Sequence, residues 1–173
     1  MNDSDWHWAD EVHQHFRDIN IAQVAYVPDG GLANLINLCN GDETIRSVAL
    51  TSEEEGVAQI AGAWLGGQKG AFLTQSGGVG NCVNMLSMVA ECRIPFFAMV
   101  SMRGQWAETI PWHIPMGQAT VPALKASGVI VHRAWSPREV PEMVAACTEL
   151  AFEGGRAVAV VISQRITATG ERG

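Results

Sequence analysis

Residues 51–67 read TSEEEGVAQIAGAWLGG, and three consecutive glutamates there precede a small, apolar segment. Ser52 followed by Glu55 fits a capping box, in which a hydroxyl and a carboxylate satisfy free amides at the start of a helix. Acidic residues in the first turn also suit the helix dipole, by about 0.3–1 kcal/mol each. The stretch therefore predicts a helix that begins near Ser52, with Glu53 as a solvated neighbour.

Glu54 is not explained by capping. Successive helical residues turn by about 100°, so its side chain points away from those of both neighbours. The predicted helix also follows an apolar run typical of a strand, and ligands in open α/β sheets bind at the carboxyl ends of strands. Glu54 is therefore a candidate functional acid.

The helix behind the glutamates is unusually rich in glycine and alanine between residues 56 and 67. Glycine inside a helix costs up to ~1 kcal/mol relative to alanine, so these positions suggest close approach of another backbone. That backbone could belong to the chain's own sheet or to a second subunit, and the pattern leaves both interpretations open.

Short apolar runs alternate with helical patterns along the rest of the chain, with glycine and proline between them. Strands are predicted at 22–27, 45–50, 69–75, 94–101, 128–134 and 156–163. This alternation predicts an α/β fold with a three-layer, doubly wound, mainly parallel six-stranded sheet and helices on both faces. We expect a single domain over residues 1–173, with an ordered core at about 6–166.

Composition excludes several classes of function. A formal net charge of -7 argues against a protein that binds nucleic acid backbones. No apolar run reaches the roughly 18 residues of a membrane span, and the acidic N-terminus does not resemble a secretory signal. The four cysteines form no CxxC pair, so we expect reduced thiols, no metal site and a cytoplasmic location. A charged fraction of only 17% suggests a surface buried against a partner.

A glycine-rich turn follows the third predicted strand, in TQSGGVGNCVNML at residues 74–86. A strand, a glycine turn and a helix start can cradle an anion or another ligand. The turn lacks the Gly-Lys-Ser/Thr of a P-loop and the GxGxxG spacing of dinucleotide sites. Gln75, Ser76 and Asn81 could donate hydrogen bonds there, although a plain strand-to-helix turn explains the pattern equally well.

A loop predicted at residues 102–117 concentrates polar and aromatic side chains, namely Arg103, Trp106, Glu108, Trp112 and His113. Tryptophans in a loop need a surface to pack on. The planar donor fork of arginine suits a carboxylate or a sulfonate. A single loop histidine is more often solvated than functional, and both interpretations stay open.

EEEGVAQIAGAWLGG and QSGGVGN, about twenty residues apart, together resemble the pyrimidine-binding domain of thiamine diphosphate enzymes. The chain is most similar in pattern to the alpha subunits of sulfopyruvate decarboxylases and to phosphonopyruvate decarboxylases. The resemblance extends from AYVPDGG at residues 25–31 to RAVAVVIS at residues 156–163, and PWHIPMGQAT at 111–120 is also similar.

The resemblance gives Glu54, two places before Gly56, the role of the family's glutamate. In the family this carboxylate contacts the pyrimidine ring nitrogen and promotes the tautomer that deprotonates the thiazolium carbon. A carboxyl group in a dry interface has its pKa raised by desolvation, which favours proton sharing with a ring nitrogen. The chemistry therefore calls for one buried glutamate, and Glu54 is the expected catalytic residue.

The resemblance also implies further site residues. The expected cofactor-binding residues are Glu54, Gln75, Ser76, Gly77, Gly78 and Asn81. The expected substrate-side residues are Asp29, Gly30, Thr74, Arg103 and His113, the last two being candidates for the substrate's anionic end or carboxylate. Thr74 and Gln75 stand where some relatives carry a histidine, and this departure affects the expected proton transfers.

The family's GDG motif with a following asparagine, which holds the diphosphate and Mg²⁺, has no match here. The Gly41-Asp42 pair is followed by Glu43 in a different context. We therefore expect a diphosphate-binding beta subunit with a GDG…N motif, an active site between the chains, and an α2β2 or larger assembly. Thiamine diphosphate and Mg²⁺ are the implied cofactors, with Mg²⁺ held mainly by the partner.

The resemblance implies a thiamine diphosphate-dependent 2-oxo acid decarboxylase, active only with its partner subunit. Sulfopyruvate is the leading substrate, giving sulfoacetaldehyde and CO₂. Two alternatives remain from the sequence: a decarboxylase or carboligase for another 2-oxo acid, such as a phosphonopyruvate-like compound, and a non-catalytic binding or regulatory subunit of the same fold.

Overall fold

The computed structural model describes residues 8–167, so the first two residues of the expected ordered core lie outside the described part. The strands are β1 Ile21–Tyr26, β2 Arg46–Ala49, β3 Lys69–Gln75, β4 Phe96–Ser101, β5 Ile130–Ala134 and β6 Ala157–Ile162. The helices are α1 Trp8–Asp18, α2 Ala33–Asn40, α3 Glu53–Leu65, α4 Ser76–Glu91, α5 His113–Ala126, α6 Glu139–Phe152 and α7 Gln164–Thr167, with a 3₁₀ helix at Gly30–Leu32.

The six strands form one parallel sheet in the order β2-β1-β3-β4-β6-β5. All carboxyl ends therefore meet at one edge. β4 lies in the middle, and each of its six residues is buried. A strand covered on both faces must be apolar on both, which explains the uninterrupted run FFAMV.

Two hydrophobic cores flank the sheet. Phe97 belongs to the core shared with α1, α2 and α6, whereas its neighbour Phe96 belongs to the core shared with α3, α4 and α5. This alternation follows from the two-residue period of a strand. The predicted three-layer architecture with helices on both faces is therefore confirmed, and the sheet is parallel throughout the described residues.

The loop after β4 is shorter than predicted, because α5 begins at His113 and not near residue 118. The sequence suggested a loop because prolines surround that point. A proline in the first turn of a helix is tolerated, since its missing N–H would lack an intrahelical partner anyway, and Pro115 occupies such a position. The loop therefore covers residues 102–112.

The start of α3 has the predicted capping box. The Glu55 carboxylate accepts hydrogen bonds from the backbone N–H of Thr51 at 3.1 Å and of Ser52 at 3.4 Å. Behind it, a methyl group at Gly56 would lie 2.4 Å from the Phe72 ring, so this glycine is required by packing on the chain's own sheet. Gly62 faces open space, so the predicted subunit interface there stays a prediction.

The structure also bears on the expected free thiols and on the expected lack of a membrane span. Cys39, Cys82 and Cys147 are buried free thiols, and Cys92 is exposed. Within residues 8–167, the longest apolar helices fall short of what crossing a membrane requires.

Candidate functional site

A cavity of about 300 Å³ opens at the carboxyl edge of the sheet. The loop after β1 and the first turns of α3, α4 and α5 converge on it. Its lining residues are Val27, Pro28, Asp29, Glu53, Gln75, Ser76, Gly77, Gly78, Trp112, His113 and Met116. The position agrees with the general rule for ligand sites in open α/β sheets.

Asp29 is fixed by donors from three elements. Its carboxylate caps the 3₁₀ helix by accepting from the Leu32 backbone N–H at 3.2 Å. The Ser101 hydroxyl at the end of β4 donates to it at 2.6 Å, and the Gln75 side-chain amide at the end of β3 donates at 3.2 Å. The carboxylate is therefore held in one orientation beside the cavity.

The glycine turn brings α4 close to both α3 and the loop after β4. A methyl group at Gly78 would lie 2.5 Å from Glu53 Cγ and 2.5 Å from Thr74 Oγ1, so a side chain is excluded there. The buried Ser76 hydroxyl accepts from the Arg103 backbone N–H at 3.0 Å and donates to the Arg103 carbonyl at 3.3 Å. A methyl group at Gly77 would lie 3.3 Å from Gln75 Oε1, so it would crowd the Gln75 side chain.

The three glutamates at the start of α3 have different surroundings in the structure. Glu53 lines the cavity and accepts from the Asn81 side-chain amide at 2.7 Å. Glu54 lies outside the lining and accepts from the Ser52 hydroxyl. Hydrogen bonds from that hydroxyl and from a backbone amide hold the pKa of Glu54 below its usual value. The raised pKa expected for a glutamate in a dry interface is thus not found in the chain alone, because hydrogen bonding outweighs desolvation here.

Glu108 organises the loop between β4 and α5. Its side chain is only 4% exposed. One oxygen accepts from Arg103 Nε at 3.1 Å, the Gly104 N–H at 2.9 Å and Gln164 Nε2 at 3.0 Å, and the other accepts from the Ile110 N–H at 3.0 Å. Burial opposes ionisation, but these hydrogen bonds outweigh it and hold the pKa of Glu108 well below its usual value.

Arg103 and His113 both lie beside this carboxylate. Their side chains are 20% and 21% exposed, respectively. His113 Nδ1 lies 3.3 Å from Glu108 Oε2 but in poor hydrogen-bond geometry, and this buried nitrogen has no hydrogen-bond partner among the described residues. His113 lines the cavity, whereas Arg103 does not, although its backbone contacts the lining residue Ser76.

The structure brings together part of the predicted site. Six predicted residues line the cavity: Asp29, Gln75, Ser76, Gly77, Gly78 and His113. Five lie outside the lining: Gly30, Glu54, Thr74, Asn81 and Arg103. Gly30 borders an adjoining depression that shares Pro28 and Asp29 with the cavity, and Thr74 is fully buried beneath the glycine turn.

Sequence reasoning missed Glu53 as a lining residue and gave Glu108 and Gln164 no role. A signal existed for Gln164, because it directly follows β6 and the rule of carboxyl ends applies to that strand as well. No comparable signal existed for Glu108, whose partners are brought together by the fold. Among residues 8–167, His, Cys, Asp and Glu form no group of three placed to hold a metal ion.

Comparisons with known proteins give relatives that align over most of this chain. The alpha subunit of sulfopyruvate decarboxylase from Methanococcus maripaludis is 32% identical over 155 residues, covering 89% of this chain and 93% of that protein. The corresponding subunit from Methanothermobacter thermautotrophicus is also 32% identical over 155 residues, covering 89% and 94%. Phosphonopyruvate decarboxylase from Streptomyces viridochromogenes is 39% identical over 104 residues, which are 59% of this chain and 26% of that protein. No protein-family model matches the chain.

A solved structure shares the fold. It is 2-oxoglutarate:ferredoxin oxidoreductase from Magnetococcus marinus, which superposes with a TM-score of 0.71 over 92% of this chain at 18% identity. The present chain spans 29% of that longer chain. At this identity the likeness concerns the arrangement of helices and strands.

Proposed function

Since the chain belongs to the family of sulfopyruvate decarboxylase alpha subunits, we propose that it is the pyrimidine-binding subunit of a two-chain, thiamine diphosphate-dependent carboxy-lyase. The proposed reaction converts sulfopyruvate to sulfoacetaldehyde and CO₂. The observation that carries the proposal is the cavity at the carboxyl edge, where Asp29, Glu53 and the glycine turn meet.

The residues of the cavity fit the pyrimidine half of thiamine diphosphate. Val27, Trp112 and Met116 offer apolar surface for a flat heteroaromatic ring, and Gln75 and Glu53 offer polar groups at its rim. Small-molecule sites typically combine mostly apolar walls with a few polar groups. Gly77 lines the cavity without a side chain, which permits close approach to its backbone. In this proposal Gln75, Ser76, Gly77, Gly78 and Asn81 form the cofactor-binding surface.

When bound, thiamine diphosphate supplies the electron sink for the electrons released as CO₂ leaves. Glu54 is the proposed proton-sharing acid. In the chain alone the Ser52 hydroxyl and a backbone amide stabilise its charged form. Covering this helix start with a partner would remove water and raise the pKa of Glu54 relative to the free chain. In this proposal, Glu54 therefore becomes the desolvated glutamate of the family only when the partner subunit binds.

We propose that the substrate binds near Asp29 and His113. Asp29, with Gly30 next to it, is held rigidly by Ser101 and Gln75. Thr74 supports the turn from below. His113 on the cavity wall and Arg103 beside Glu108 are the proposed groups for the substrate's carboxylate or sulfonate, and a planar guanidinium suits either anion.

A beta subunit is proposed to complete the site. We propose that it carries the GDG…N motif, holds the diphosphate and most of the Mg²⁺ coordination, and assembles as α2β2 or larger in the cytoplasm. Trp112 at the mouth of the cavity is 75% exposed, and Ile114 beside it is 39% exposed. Large exposed apolar side chains at a cavity mouth favour coverage by another protein surface.

Reconstitution tests the proposal. The chain is combined with a subunit of similar length that carries GDG…N, and sulfoacetaldehyde and CO₂ are quantified from sulfopyruvate with thiamine diphosphate and Mg²⁺ present. We expect both products from the pair and neither from either chain alone. An assembled pair that binds the cofactor but releases no CO₂ from sulfopyruvate would contradict the proposed reaction.

A further inference from the structure

Glu108 is a buried carboxylate with more donors than a local cap requires. Three N–H groups converge on Oε2, from Arg103, Gly104 and Gln164, and the Ile110 N–H binds Oε1. These donors come from both ends of the loop and from α7. The carboxylate therefore joins the exit of β4, the entrance of α5 and the end of β6 at one point.

A reciprocal pair of glutamines reinforces this point. Gln164 Oε1 accepts from the backbone N–H groups of Gln105 and Trp106, both at 2.9 Å. In return, Gln105 Oε1 accepts from the Gln164 N–H at 3.0 Å and from the Ser163 hydroxyl at 3.1 Å. The loop is thus fixed to the carboxyl end of β6, and Gln164 carries the connection onward to Glu108.

A carboxylate is the side chain that this geometry requires. Ionised glutamate accepts at both oxygens and donates at neither, whereas glutamine must turn an NH₂ group toward one of the converging donors. The loop could be capped by local hydrogen bonds alone, as at Glu139, which accepts from the Trp135 N–H and the Ser136 hydroxyl. Glu108 differs because it also contacts Arg103 and His113, the two candidates for binding the anionic substrate.

We infer that Glu108 is a positioning residue of the substrate site. It binds Arg103 directly, and it fixes the start of α5 through Ile110, whose N–H donates to it and whose carbonyl accepts from the His113 N–H at 3.1 Å. The inference rests on the proposed function, because it assigns the side chains of Arg103 and His113 to the anionic substrate. Glu108 itself acts through Arg103 and need not touch the substrate. Errors of about 1 Å in such positions are enough to cost large factors in rate.

The test uses the assembled two-chain enzyme with four variants of this chain: Glu108→Gln, Arg103→Gln, the double variant, and Glu139→Gln as the matched control. We expect Glu108→Gln to raise the KM for sulfopyruvate by about tenfold or more with little change in kcat. Arg103→Gln should raise it similarly, and the double variant should add little, because both changes disrupt one contact. Glu139→Gln should keep the wild-type KM. A purely structural role would lower the melting temperature without this pattern.

Each outcome decides the inference. Wild-type KM in Glu108→Gln, or fully additive effects in the double variant, would overturn it while leaving the proposed function intact. If Glu108→Gln fails to assemble, Arg103→Gln alone decides, and a wild-type KM there overturns the inference. An assembled wild-type enzyme that does not decarboxylate sulfopyruvate would overturn the proposed function, and the inference with it.

Discussion

The start of α3 and the loop after β4 both use a glutamate to accept hydrogen bonds from backbone amides, but in opposite settings. Glu55 is exposed, and its partners, Thr51 and Ser52, lie within four residues in sequence. Glu108 is buried, and one partner, Gln164, lies 56 residues away. The first arrangement is local and can be deduced from spacing, whereas the second exists only in the folded chain.

This difference assigns different tasks to the two acidic regions. At the start of α3, Glu55 makes the cap, while Glu53 accepts from the Asn81 amide and Glu54 accepts from the Ser52 hydroxyl. In the loop, the carboxylate of Glu108 is fully committed to neighbouring groups. Chemistry is therefore expected at the start of α3, and the loop is expected to act by holding other side chains in place.

The largest effect is expected from Glu54→Gln in the assembled enzyme. Loss of the proton-sharing carboxylate should reduce decarboxylation by about 100-fold or more, within the usual range for acid–base groups. Size-exclusion chromatography should show unchanged assembly, and Glu55→Gln is the matched control with near wild-type activity. Full activity in Glu54→Gln together with an inactive Glu53→Gln would transfer the role to the glutamate that lines the cavity.

A smaller effect is expected from Gly78→Ala at the junction of α3 and α4. The new methyl group would meet Glu53 Cγ and Thr74 Oγ1, each at 2.5 Å, and such overpacking typically costs about 1–3 kcal/mol. Urea unfolding of the isolated chain measures this loss. Gly62→Ala is the control, because its methyl group meets nothing within 4 Å, and helix propensity should then stabilise the chain by up to ~1 kcal/mol. Equal stabilities of the two variants would contradict the packing described at Gly78.

The next prediction concerns how the melting temperatures of wild type and Glu108→Gln depend on pH. Because the pKa of Glu108 is lowered by folding, its ionised form contributes stability above the ordinary glutamate pKa, and this contribution is lost as the pH falls through the folded-state pKa. The melting-temperature gap between wild type and Glu108→Gln should therefore be present at pH 6 and narrow below about pH 4.3. A gap that stays constant down to pH 3 would contradict an ionised Glu108.

The smallest effect is expected from Glu55→Ala at the exposed cap. Removing a carboxylate from the first turn of a helix should cost about 0.3–1 kcal/mol of unfolding free energy, measured by chemical denaturation. Activity of the assembled enzyme should stay near that of wild type. A loss of activity as large as that of Glu54→Gln would show that the acids of α3 are not divided between capping and chemistry.

The fold could largely be predicted from the sequence, for local reasons. Apolar runs bounded by glycine and proline marked all six strands to within a few residues, including the exposed edge strands β2 and β5. The error at α5 arose because Pro115 can begin a helix as readily as it can end one. The order of the strands in the sheet was not predictable from these runs, because it depends on which faces the helices cover.

Less of the candidate site than of the fold could be predicted from the sequence. Asp29, Gln75, Gly77 and Gly78 were predicted from the family resemblance and their positions near the carboxyl ends of strands, and all line the cavity. The connection from Glu108 to Gln164 could not be predicted, since it depends on β4 and β6 being neighbours in the sheet. The directions of Glu53 and Glu54 depend on how α4 packs against α3, which spacing along one helix does not determine.

The central claim is that this chain forms one half of a shared active site. Titration calorimetry with thiamine diphosphate and Mg²⁺ tests it most directly, first with the purified chain and then with the chain assembled with its GDG…N partner. We expect weak or undetectable binding by the chain alone and saturable binding by the assembled pair. Tight, Mg²⁺-dependent binding by the chain alone would contradict it.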